Sequence, residues 1–85
     1  MHNFNLDKLA AAYKIRFIAV NEYLKNRTDQ GLPNPPTKDP DFSYIYNMAQ
    51  ERSLLAKASQ YHYTKNDSLL SSEEAERVRT IISFH

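Results

Sequence analysis

The only glycine and all four prolines of this 85-residue chain fall within ten consecutive positions, Gly31-Leu32-Pro33-Asn34-Pro35-Pro36-Thr37-Lys38-Asp39-Pro40. Each proline removes an amide donor, and Pro35-Pro36 favours an extended backbone, so neither a helix nor a central strand can run through the segment. The stretches on either side contain no strong breaker. The region 31–39 therefore reads as a stiff connection that reverses the chain between two long helices. Pro33-Asn34-Pro35-Pro36 also fits the loose PxxP pattern of proline-recognition ligands, a match that arises often by chance in loops.

The stretch before the connection, LDKLAAAYKIRFIAVNEYLKN, predicts a first helix over about 6–27. Asn5 can accept from the unpaired amides of the first turn, and Phe4 can staple against Leu9. Gly31 stands ready as the left-handed residue beyond the last turn. Around a 3.6-residue wheel, Leu6, Leu9, Ala10, Tyr13, Phe17, Val20 and Leu24 share one side and are expected to form the core stripe. Opposite them Ala11, Ile15 and Ile18 cluster near Ala12 and Ala19, with Glu22 at the edge. A helix apolar on two faces must bury both or display one. Ala11, Ile15, Ile18, Ala19 and Glu22 are therefore expected to form a contact surface, for a second copy or for a partner helix.

Beyond the connection, Asp39 as N-cap and Pro40 at the first helical position mark a restart, with Asp41 favoured by the helix dipole. The second helix is expected over about 40–63. Its core side carries Phe42, Ile45, Met48, Ala49, Leu55, Ala56 and Tyr63, and Tyr61 is expected mostly on the other side. Arg52 falls inside the apolar stripe, where it can snorkel, pair with a carboxylate or anchor an anionic group. Tyrosines crowd both ends of this helix, and Tyr44 and Tyr61 join Arg52 as candidate protein contacts. The polar run Lys65-Asn66-Asp67-Ser68 then breaks the pattern. Ser71 and Glu74 form a capping-box signature, Leu70 can staple against Ala75, and a third helix over about 72–83 follows. Its core side is Ala75, Val78, Ile81 and Ile82. One all-α domain spans 1–85, an antiparallel hairpin of long helices plus a short third helix, open to completion by dimerisation.

Composition narrows function mainly by exclusion. Eleven basic and ten acidic residues leave a net charge of +1, so no overall field favours nucleic acid or an anionic membrane. Without cysteine there is no disulfide framework, thiolate nucleophile or cysteine-based zinc site, which fits the cytoplasm. The longest aliphatic and aromatic run is Phe17 to Val20, so neither a secretory signal nor a membrane span is expected. His2, His62 and His85 are scattered without metal-ligand spacing, and one glycine cannot build a phosphate-cradling loop. No catalytic residue, metal or cofactor is expected.

The size and the long-helix-first order resemble the helical chorismate mutases, dimers of three helices per chain. That resemblance implies an enzyme in which basic side chains clamp a dianionic substrate, with an Arg-Glu pair early in the second helix. Here the corresponding region, DPDFSYIYNMAQER, carries Glu51 before Arg52, the reverse order. Secretion-needle subunits are similar in size, as helical hairpins with a proline-containing turn, but their last helix is continuous where this chain breaks between Asn66 and Ser72. A nucleic-acid-binding regulator is the other alternative, with a helix-turn-helix-like pair at the C-terminal end carrying Arg77 and Arg79. Glu73, Glu74 and Glu76 crowd the turn that would approach the bases. The reading favoured is a small cytoplasmic interaction protein, a regulator, inhibitor or adaptor that is not an enzyme and binds another protein or itself through helix faces.

Overall fold

The computed structural model describes residues 3–33 and 41–85. Among these the chain is all-helical: α1 spans Leu6–Asp29, α2 spans Phe42–Thr64, a single 3-10 turn covers Asp67–Leu69, and α3 spans Ser72–Ile82. The proposed N-cap Asp39, Pro40 at the helix start, and the PxxP match apart from Pro33 lie outside the described residues. The described α2 begins two residues later than expected, with Asp41 at its N-cap position in a right-handed helical conformation.

The punctuation works as the local chemistry requires. Asn5 Oδ1 accepts from the Lys8 amide at 3.1 Å, and Phe4 packs against the core. At the other end of α1, Gly31 takes φ +70°. Its amide donates to the Thr28 carbonyl at 3.0 Å, and Leu32 donates to the Arg27 carbonyl at 2.8 Å. These paired bonds satisfy carbonyls that the last turn would leave bare, and they need a left-handed residue at Gly31. The second chain reversal is built differently. Lys65 ends α2 at φ 56°, and Asn66 Oδ1 accepts from Ser68 N at 3.0 Å to start the 3-10 turn. At α3 both halves of the capping box form, Ser71 N to Glu74 Oε1 and Glu74 N to Ser71 Oγ, each 3.1 Å.

α1 and α2 pack as a long hairpin, and α3 folds back over the end where α1 begins and α2 finishes. The main core gathers there: Leu9 and Ala12 from α1, Leu54, Leu55, Ala58 and Tyr61 from α2, then Leu70, Ala75, Val78, Ile81 and Ile82. All four expected core positions of α3 are buried, as is the staple residue Leu70. Among the described residues the core thins towards the proline connection. Val20 and Ile45 are buried outside the main cluster, and the molecule measures 45 × 22 × 22 Å.

Three expectations about facing need correction. Tyr61 is 1% exposed and sits in the core, whereas Tyr63 is 81% exposed. The reason is register: Tyr61 lies three residues past Ala58 and seven past Leu54, on the side of α2 that α3 covers, and its hydroxyl donates to Asp67 at 3.1 Å. Ala12, read as part of the second face of α1, is fully buried. Leu6, Phe17 and Leu24, read as core, are 44, 42 and 37% exposed, and Ala10, read with them, is exposed as well. α1 is turned about its axis relative to the expected stripe, because α2 and α3 meet it along Leu9, Ala12 and Val20.

Candidate protein-binding surface

A helix advances about 100° per residue, so its side chains can be sorted by direction. The buried residues of α1 are only Leu9, Ala12 and Val20. Arg16 lies among them and is held from three sides. Its Nε is 3.5 Å from Glu51 Oε1 on α2, and Nη1 donates to the Ala12 carbonyl at 3.1 Å. Nη1 also meets His85 Nε2 at 3.0 Å, a bond the ring accepts when its proton sits on Nδ1. One side chain thus ties α1 to α2 and to the residues after α3. No local pattern marks this cluster, because its members are 35 and 69 positions from Arg16.

Opposite this buried side lies an outer strip. Ile15 and Ile18 are 50 and 41% exposed, Ala11 and Glu22 are exposed, and Ala19 is half-buried at the margin. Lys14 and Lys25 border it on one side and Lys8 on the other. A second apolar row, between the outer strip and α2, consists of Leu6, Ala10, Tyr13, Phe17 and Leu24, with the buried Val20 beneath it. The Tyr13 and Phe17 rings stack at 5.9 Å between centroids. Beside this row a groove of about 330 Å³ opens between α1 and α2, lined by Leu9, Ala10, Tyr13, Leu55, Ala56 and Ser59. The row Asp7, Lys14 and Lys25 separates the two apolar strips.

The remaining candidate residues do not join the outer strip. Tyr44 is exposed near the start of α2 and Arg52 is half-buried in its middle, whereas α1 turns its Ile15–Ile18 side away from α2. Tyr61 is withdrawn as a contact, because a residue enclosed by the core presents nothing to a partner. A cleft of about 380 Å³ between α2 and α3 is lined by Tyr46, Gln50, Ser53, Lys57, Glu74 and Arg77. Lys57 Nζ donates to Glu74 Oε2 across it at 2.6 Å. That bond, with the Ser71 amide, holds the Glu74 carboxyl below its usual range. On α3, Arg79 pairs with Glu76 at 2.6 Å and lies 5.9 Å from the Phe4 ring centre. One of the two arginines of the proposed recognition helix is therefore engaged within the fold.

Among the described residues, no group of three or more His, Asp or Glu side chains is placed to hold a metal ion, and no helix is long and apolar enough to cross a membrane. Compared with protein-family models, with curated proteins and with solved structures, the chain matches none of them.

Proposed function

We propose that this chain is a small protein–protein interaction module, a regulator, inhibitor or adaptor that works in the cytoplasm without catalysing a reaction. Its docking face is the outer strip of α1. The observation that supports this most is the pair Ile15 and Ile18, half exposed at the centre of α1 and directed away from the side that α2 and α3 bury. Branched aliphatics flanked by the small Ala11 and Ala19 suit the ridge of a partner helix, which would bury them as a core does. Lys8, Lys14 and Lys25 along the borders favour a partner with acidic residues at its edges.

Affinity capture with wild type and with the Ile15→Asp/Ile18→Asp variant tests this reading. The expected result is a partner retained by wild type and lost by the variant, with helical circular dichroism unchanged. The reading fails if the variant unfolds, which would make the strip part of the core, or if both proteins retain the same partner.

A further inference from the structure

We propose that two copies of the chain associate through the row of α1 that faces the groove, packed antiparallel about a twofold axis level with residue 15. Leu6, Ala10, Tyr13, Phe17, Val20 and Leu24 follow one another at intervals of four, three, four, three and four residues. This is the heptad spacing of a helix-pairing seam, carried by apolar residues without interruption over most of α1. The spacing is also symmetric about residue 15. An antiparallel twofold therefore lays the seam on itself, as an isologous interface requires.

The pairings suit one another in size. Leu6 meets Leu24 of the second copy, Ala10 lies over the covered Val20, and Tyr13 meets Phe17. Tyr13 and Phe17 already stack within one copy, so the axis gathers four rings. The groove of about 330 Å³ that Tyr13 lines opens where the second copy's Phe17 arrives. The seam carries no charge, and Asp7, Lys14 and Lys25 stand at its rim, the distribution expected of an interface centre and border.

The interface takes in the flank of α2 beside the groove, around Ala56 and Ser59, as well as the seam. From Leu6 to Leu24 α1 runs about 27 Å, and the molecule is 22 Å across. Covering the whole groove-side face of that length and width, the flank of α2 included, gives at most about 600 Å² per copy and about 1,200 Å² in total, the lower edge of a specific interface. The outer strip stays free, because it lies beyond the charged row.

Sedimentation equilibrium over about a hundredfold range of concentration tests the proposal. The wild type is expected to approach twice the monomer mass as concentration rises. Phe17→Glu/Leu24→Glu should remain at the monomer mass, and Ile15→Asp/Ile18→Asp should dimerise as wild type does. A wild type that stays monomeric, or a dimer lost with the Ile15/Ile18 pair and kept with the Phe17/Leu24 pair, overturns it. Oxidation of a Leu6→Cys/Leu24→Cys variant gives a second test that does not depend on the glutamate variant folding. These positions are too far apart along one helix to bond within a chain, so a covalent dimer is expected, and monomer alone would overturn the pairing. Loss of partner capture with the dimer intact touches only the docking face, so the two proposals fail separately.

Discussion

At the scale of single residues, three side chains carry most of what can be tested in the fold. Lys65 sits in the left-handed region that costs an L-residue with a Cβ roughly 1 kcal/mol. Lys65→Gly is therefore expected to raise unfolding stability by up to about 1 kcal/mol, read from urea midpoints. An unchanged or lower midpoint would mean that the lysine side chain offsets its own strain. Tyr61 is enclosed in the core with its hydroxyl on Asp67. Tyr61→Phe should cost about 0.5–1.5 kcal/mol and Tyr61→Ala about 3–5 kcal/mol. Equal stability of Tyr61→Ala and wild type would return this residue to the surface. Glu74 gives the pH dependence. Its carboxyl lies below the usual 4.5 in the folded chain, chiefly through the Lys57 bond. The stability it supplies is fully present above pH 4.5 and is lost as pH falls through the lowered value. Glu74→Gln should flatten the acid limb of the stability profile, and an identical limb in the two proteins would remove Glu74 as its source.

Helices were legible in the sequence where local chemistry decides them, and less so where packing does. Asn5, Gly31 and the Ser71–Glu74 box act through bonds reaching three to five residues, and each ended or started a helix where its residue type implied. The face of α3 was equally clear, since Ala75, Val78, Ile81 and Ile82 form its one apolar stripe. α1 was harder, because it is apolar around much of its circumference and periodicity cannot choose among several sides. The choice came from long-range partners: Arg16 on Glu51 and His85, and the small Ala12 where α3 closes over the hairpin. For the same reason Leu54 and Tyr61 on α2 were not recognised as core, as their cover comes from α3. α3 in turn depends on the hairpin. At 11 residues it is below the length at which an isolated helix persists. A peptide of residues 71–85 is expected to show little helical circular dichroism in water, and strong helicity would mean that the capping box alone sustains it.

The whole molecule is a thin rod with more apolar surface on α1 than two neighbouring helices can cover. A domain of this size buries a modest fraction of its chain, and among the described residues the buried side chains at its thinner end are Val20 and Ile45. Three consecutive alanines sample the three sides of α1 on which the account rests: Ala10 in the seam, Ala11 in the outer strip and Ala12 in the core. The chain has no cysteine, so single Ala→Cys variants at these positions report separately by their rate of thiol labelling. Ala12→Cys is expected to react slowly at every protein concentration and Ala11→Cys rapidly at every concentration. Ala10→Cys should react rapidly when dilute and slow markedly as the protein is concentrated. Equal labelling of Ala10→Cys and Ala11→Cys across the whole range would contradict the division of α1 into a self-association seam and a free docking face.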